Sequence, residues 1–468
     1  VSLQIRAEST PFKGKPSTVT AIIKRLTDDG YRALLTEAKQ KFVEVVAGQS
    51  NPIEEATSFE DGQLFRMNNF YYVRDEGRVP IGGDIFLSRK ADGLLYLTAM
   101  ATESRMQRLR GEITSARTLE VGLITANNNF DELHAFIEAV SSCAKAEGLE
   151  PTWSAVVSEN PKFGALGGTE GIQFVPGTTV SDQELRVSTV LERASAREFA
   201  FAVKRAGGML AADAVKKGGT GPDQLPEIIN SLEKSQLVSQ EYVIICKRSS
   251  NQVNRVDQRH KIDDMSKMGI LCSCGNPIGR ERIEELYVPT PLLKKMLDQS
   301  YWMTTQLVQQ LAALGVPLNK ILLNLQEGAE EVDAFVDLDG KLVMFELKDN
   351  EFSMGHAYPF GGRIGLYKPD FAFIVASKGI APDVREYFKR VKPEAELVYV
   401  GNLSELQSNL QKIMDKVRSQ KATAVVSEFE ALAMMNIPLR NLLDSRIQRM
   451  QSENIAPTPD GILTAAAS

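Results

Sequence analysis

Asp339-Gly340, set between two alternating apolar runs, constrains this chain more than any other pair of residues. Both central positions of a type I′ turn need positive φ, which Asp and Gly accept, so residues 331–348 are predicted to fold as a tight β-hairpin. A two-residue turn sets the register. Leu338 then opposes Lys341, Phe335 opposes Met344, Asp333 opposes Glu346 and Glu331 opposes Lys348. Directly opposed residues share a face, with Cβ atoms roughly 4.5–5.5 Å apart. Carboxylates and an ammonium therefore converge at the open end of one face. Val332, Ala334, Val336, Val343, Phe345 and Leu347 make the other face apolar, and it must be buried.

Two carboxylates this close repel unless a proton, a cation or a metal ion lies between them. A hard divalent ion such as Mg²⁺ (or Mn²⁺), which prefers oxygen ligands and retains waters, suits Asp333 and Glu346. Lys348, two residues beyond Glu346 on the same face, is placed to hold a water beside that ion and to offset charge developing on a phosphate. A solvated hairpin face with weak surface ion pairs accounts for the same charges but not for their clustering at one end.

The spacing Asp333 … Glu346-Leu347-Lys348 resembles that of the PD-(D/E)xK, or restriction-endonuclease-like, nucleases. The neighbouring pattern is similar as well. A helix is expected over Tyr301–Leu314, stopped by Gly315, then a strand over Ile321–Gln326 and the hairpin. A helix over Ser353–Tyr367, a strand over Phe371–Ala376, a helix over Pro382–Val391 and a strand over Leu397–Val400 complete the order, with Ser404 and Gln407 as a capping box for a following helix. The resemblance implies a mixed-sheet α/β/α fold, metal ligation by Asp333 and Glu346, and a catalytic Lys348. Many members add a glutamate from the preceding helix. Tyr301–Leu314 offers only Gln306, Gln309 and Gln310, leaving Glu327, Glu330 and Glu331 as nearby substitutes. On the following helix Arg363 is a candidate phosphate contact, and His356 is a proton shuttle or a packed residue.

At 468 residues the chain predicts a multidomain α/β protein. A net charge of −6 argues against a uniformly basic surface but leaves room for local patches. Four cysteines, no apolar run of bilayer length and no basic-then-apolar start together predict a cytoplasmic chain with no membrane partner. Residues 1–190 read as an N-terminal α/β domain suited to sensing, dimerisation or clamping DNA. Strands are expected at Phe70–Val73, Asp84–Leu87, Leu94–Thr98, Val121–Thr125 and Trp153–Val157, with a helix over Asp131–Ala146 that packs Cys143. Gly14-Lys15 and Gly164–Gly171 lack the full pattern of a phosphate loop.

Residues 191–256 resemble a winged helix, with helices at Ala196–Arg205, Leu210–Lys217 and Pro226–Lys234 and a wing of Tyr242–Lys247 and Asn251–Val256. Lys216, Lys217, Lys234, Lys247, Arg248, Arg255, Arg259 and Lys261 are its candidate phosphate contacts. Residues 257–300 resemble a zinc ribbon. Cys246, Cys272 and Cys274 supply three structural Zn²⁺ ligands, His260 is the available fourth, and a ribbon without metal is the alternative. The nuclease-like domain spans 301–420. Residues 421–468 hold an amphipathic helix over Ala424–Met450, expected to cap the core or pair with another copy, and a loose tail.

The function expected is that of a Mg²⁺-dependent nuclease, a dimeric endonuclease acting on double-stranded DNA. Restriction, antiviral defence or repair follow only from the fold-level likeness. The rival is a catalytically silent nuclease-like fold that binds DNA or acts as a scaffold.

Overall fold

The computed structural model describes residues 3–47, 76–88, 93–104, 117–126, 129–168, 172–211, 213, 224–327, 330–430, 441 and 444–445. Chain contacts divide it into two units, 1–158 with 411–468, and 159–410.

In the first unit, β1 (Gln4–Pro11) is followed by α1 (Pro16–Asp28), α2 (Leu34–Ala47), β2 (Glu76–Leu87), β3 (Gly93–Ser104), β4 (Arg117–Thr125), α3 (Asp131–Ala146) and β5 (Ser154–Ala155). The sheet runs β2-β3-β4-β1-β5, antiparallel throughout. Val19, Ile22, Ile23 and Leu26 recur at helical spacing, which gives α1 one apolar face. That face shares a core with Leu133, Phe136 and Val140 of α3 and with Leu95, Leu97, Val121 and Leu123 of the sheet; Cys143 packs there as expected. The strand predicted at Phe70–Val73 lies outside the described residues.

A second core fills the other side of this sheet. There Ile85, Leu94, Tyr96 and Ile124 meet Ala422, Val426 and Phe429. The C-terminal helix therefore packs on the N-terminal sheet, which alters its expected role as a cap for the nuclease-like core. The physical reason is its small-then-large stripe, which fits the apolar face that β2, β3 and β4 leave bare. Asp84 anchors α2 on the same unit. Its carboxylate accepts from the Leu35, Thr36 and Ile85 N–H groups (2.8, 2.9 and 2.8 Å) and from the Thr36 hydroxyl (2.7 Å), serving as a cap borrowed from a neighbouring strand. Asp84→Ala leaves these buried donors without an acceptor and should cost about 2 kcal/mol in chemical or thermal melts. A change within error would show that water replaces the carboxylate.

The second unit begins with α4 (Pro161–Gly168), β6 (Ile172–Pro176), α5 (Asp182–Glu192), α6 (Ala194–Ala206), β7 (Met209–Leu210), α7 (Leu225–Lys234), β8 (Val238–Ile245), β9 (Gln252–Val256), α8 (His260–Lys267), β10 (Arg282–Pro289) and α9 (Pro291–Leu297). It continues with α10 (Tyr301–Ala313), β11 (Ile321–Glu327), β12 (Glu330–Leu338), β13 (Lys341–Lys348), α11 (Met354–Tyr367), β14 (Phe371–Ala376), α12 (Pro382–Val391), β15 (Glu396–Val400) and α13 (Leu406–Glu430), which runs on into the first unit.

A six-stranded mixed sheet has the order β15-β14-β13-β12-β11-β6, with β13, β14 and β15 parallel and the remaining pairs antiparallel. Residues 159–190 thus belong with this sheet and not with the N-terminal domain. β6 covers the edge of β11, whose backbone groups would otherwise be unpaired. One face carries Phe163 and Leu166 of α4, Ala357, Phe360 and Ile364 of α11, and Val384 and Phe388 of α12. On the opposite face Phe345 and Phe373 stack at 4.7 Å, and α10 packs against β13 and α5.

The remaining sheet runs β7-β10-β8-β9. It joins the winged-helix-like and ribbon-like segments that the sequence separates at 256, because β10 pairs with β8 along its whole length. Gly207 and Gly208, at φ 69° and 157°, turn the chain so that Met209 and Leu210 pair with Tyr287 and Leu286. Leu210 is therefore a strand residue, and the helix expected from it is seen only at Ala211 and Asp213; Lys216 and Lys217 lie outside the described residues. Asn402, whose side chain accepts from the Ser404 N–H at 3.1 Å, takes the capping role expected of Ser404. Among the described residues no helix is long and apolar enough to cross a membrane.

Candidate active site

Asp339 and Gly340 adopt φ of 51° and 88°, as their turn requires. Leu338 pairs with Lys341, Phe335 with Met344 and Ala334 with Phe345. The turn is held by Asp337, which accepts from the Gly340 N–H (2.9 Å), the Asn160 N–H (3.1 Å) and the Lys320 ammonium (3.2 Å). Beyond Ala334 the ladder opens. Leu347 there donates its N–H to Asp333 Oδ2 at 2.6 Å. On the other side of β12 the Asn324–Asp333 position is also missing from the ladder, and Asn324 has φ of 47°. Val332 consequently joins the core of Phe335 and Met344, not the face of Ala334 and Val336 that strict alternation gives it. The register of β11 and β12 is the same on either side of this gap, while β11 shifts register against β6 between Leu323 and Gln326, an irregularity that re-aims side chains at the end of a strand.

Asp333 and Glu346 are 5% and 2% exposed. Between them lies the Lys348 ammonium, 2.9 Å from Glu346 Oε1 and 3.6 Å from Asp333 Oδ2. Burial, reinforced by the charge of Glu346, pushes the Asp333 carboxyl up to about 7, with Lys348 and the Leu347 N–H pulling it back. Burial opposes the charge on Lys348, but Asp333 and Glu346 outweigh it and raise its pKa. The three residues named from the sequence thus form one cluster, with both acids buried and Lys348 half-buried.

Arg363 sits elsewhere than a substrate contact would. It reaches from α11 to Glu346, 3.3 Å from each carboxylate oxygen, and donates to the Glu331 carbonyl. The cluster therefore balances two acids with two bases in this state. Glu331 approaches from the same strand; its Oε1 has no hydrogen-bond partner, and neither does Glu346 Oε2. Gln306 does not join them: its amide donates to the Ser188 hydroxyl at 3.1 Å. His356 is a packed residue, its Nδ1 accepting from the Ser353 N–H (3.1 Å) and its ring 5.4 Å from Phe352. Burial, then the nearby Lys348 charge, lowers its pKa.

A second buried ionic group supports this end of the sheet and escaped the sequence reading. Asp349, next to Lys348, lies 2.9 Å from Arg197 and accepts from the Trp302 indole (3.0 Å) and the Ser377 hydroxyl (2.7 Å). Asp349 adjoins the motif, but nothing in its spacing singles out Arg197, some 150 residues earlier.

Cys246, Cys272 and Cys274 also converge, with Glu281 as the fourth member; their ligand atoms all lie within 4.8 Å of one another. His260 is exposed at the start of α8 and is not in the group. Hydrogen bonds from Ser249 draw the Cys246 thiol down to about 7, while Glu281 drives that of Cys274 up to about 12. The nominated bases Lys247, Arg248, Arg255, Arg259 and Lys261 are all exposed. Two already have acidic partners, Arg255 with Glu241 and Lys261 with Asp257.

No family model matches the sequence, and no curated protein does. Among solved structures it is similar to protein VC1899 from Vibrio cholerae, at 11% identity and a TM-score of 0.34, over 56% of this chain and 63% of that one. The match thus spans less than two thirds of that protein, and likeness at this level carries no argument about this chain.

Proposed function

We propose that the chain is a metal-dependent nuclease whose reacting centre is the Asp333, Glu346 and Lys348 cluster. The observation that carries this reading is the burial of two acids from adjacent strands around one lysine, at the end of a sheet where the ladder opens. The order α10, β11, β12, β13, α11, β14, α12, β15 supports it, being the order expected from the restriction-endonuclease-like resemblance. DNA, double-stranded, is the proposed polymer, and a homodimer the proposed assembly.

Asp333 and Glu346 would hold a Mg²⁺ or Mn²⁺ ion. The donor set fits: both are hard carboxylates, and the buried Glu331 Oε1 has no hydrogen-bond partner, whereas Glu346 Oε2 faces Arg363 at 3.3 Å. Such an ion, when bound, polarises a phosphate and acidifies a water. Lys348 is held by both acids so that its charge offsets what develops on the phosphate. Arg363 orients Glu346 and would be available to a phosphate only if Glu346 held the cation instead. Incubating the purified chain with supercoiled, linear and single-stranded DNA and with RNA tests this; Mg²⁺-dependent cleavage of duplex DNA is expected. No cleavage of any polymer would leave only the second reading.

That second reading is a silent nuclease-like fold that binds nucleic acid or acts as a scaffold. Arg363 favours it, because a guanidinium on Glu346 takes the place where a cation is needed. Arg363→Gln distinguishes the two. Removing one competing charge should strengthen Mn²⁺ binding by about tenfold in calorimetry if Glu346 is a ligand. Unchanged or undetectable Mn²⁺ binding in both proteins would favour the silent fold.

A further inference from the structure

We propose that Cys246, Cys272, Cys274 and Glu281 form a tetrahedral site for one structural zinc ion. It is independent of the nuclease reading, since it uses none of the residues of that centre. Three soft sulfurs and one oxygen are a donor set that selects zinc among the abundant divalent ions, whereas Mg²⁺ and Ca²⁺ demand oxygen alone. The four ligand atoms lie within 4.8 Å of one another, close to the mutual spacing of donors around a tetrahedral ion with Zn–S bonds of about 2.3 Å.

The backbone around the group is already shaped for the ion. Cys246 follows β8 and opens a turn in which Ser250 donates to its carbonyl (2.8 Å), Ser250 has φ of 58°, and the Ser249 N–H points at the Cys246 sulfur (3.4 Å). Cys272 opens a second turn, closed by the Gly275 N–H on its carbonyl at 2.8 Å with Gly275 at φ 89°. Glu281, just before β10, is fixed by the Lys247 N–H at 2.6 Å and accepts from the Cys274 thiol at 3.0 Å. Cys246, Cys272 and Glu281 are buried. The ligands thus come from two separate turns and a strand end, and a bond from each to one ion ties the β8–β9 turn to the loop before β10. Binding releases the thiol protons to solvent, and the Ser249 and Lys247 amides stabilise the charge left on sulfur and carboxylate.

The full chain, purified under reducing conditions without chelator, is expected to carry one zinc per molecule by elemental analysis. Replacement by Co²⁺ should give intense thiolate-to-cobalt charge transfer with tetrahedral d–d bands, which oxygen sites cannot produce. Cys272→Ser should lose the metal. Because that variant risks misfolding, Glu281→Gln provides the second measurement: it keeps the acceptor for Lys247 and should release zinc to a competing chelator at least about tenfold more readily. His260→Ala should retain zinc as the parent does. The proposal is overturned by a chain that takes up neither zinc nor thiolate-bound cobalt, or by thiols found as a disulfide in the reduced preparation. It is equally overturned by zinc that survives Cys272→Ser or that departs with His260→Ala.

Discussion

Asp333→Asn is expected to make the metal-free protein more stable at pH 8 and, if the proposed nuclease reading holds, to lower DNA cleavage at least about 100-fold. The two effects share one cause. The Asp333 carboxyl, pushed up to about 7 in the fold from an ordinary value of 3.8, binds a proton more tightly folded than unfolded. Stability therefore falls as pH rises between those two values and stays low above them. At pH 8 the buried charge costs about 4 kcal/mol without metal, and asparagine removes that cost while its carbonyl still accepts from Leu347. The advantage of the variant should shrink toward pH 4. Adding Mn²⁺ should stabilise the parent at pH 8 more than the variant, because the variant offers the ion Glu346 without the second charged ligand Asp333. Melting curves at pH 4.5 and 8, with and without Mn²⁺, provide the check. A variant less stable than the parent at pH 8 would show that Lys348 and Arg363 already satisfy Asp333 and Glu346, and that no cation is wanted there.

Arg197→Met should destabilise the second unit by about 3–5 kcal/mol, the largest loss expected from any single change to this sheet. Arg197 and Asp349 are 6% and 5% exposed at the side chain and 2.9 Å apart. Arg197 also donates to the Leu191 and Glu192 carbonyls at 2.7 and 3.0 Å, satisfying the end of α5, and lies 4.7 Å over the Trp302 ring. Removing it leaves an unpaired buried carboxylate and bare helix carbonyls. The double variant Arg197→Met/Asp349→Leu should recover part of the loss, since an apolar pair avoids the desolvation that the ion pair must offset. Equilibrium unfolding in urea measures both. A single-variant loss below about 1 kcal/mol would mean that water reaches this pair. Asp349 directly follows Lys348, so the loss should also reduce the precision with which Lys348 is held.

The hairpin was legible because every requirement for it is local. Asp339-Gly340 specifies the turn, and alternation specifies the register as far as Ala334 and Phe345, which brings Asp333, Glu346 and Lys348 to one end of the hairpin; the direct pairs expected of Asp333 with Glu346 and of Glu331 with Lys348 are not in the ladder. Helices with strong apolar periodicity, such as α3 and α12, are legible for the same reason. Alternation failed at Val332, because the irregularity around Asn324 arises where β11 meets its neighbouring strands and has no signature in β12 itself.

What the sequence by itself determined is therefore the chemistry of short stretches: the turn, the acids and lysine beside it, and the cysteines with their knuckle-like spacing. The tertiary structure alone decided which distant groups complete them. Arg363 came to rest on Glu346, Glu281 took the position offered to His260, β6 closed an edge far along the chain, and α13 packed onto the first sheet. The physical reason is range. Turn and strand preferences arise from neighbouring backbone dihedrals, whereas buried charges and bare apolar faces are satisfied by whatever partner the completed fold brings within a few ångströms.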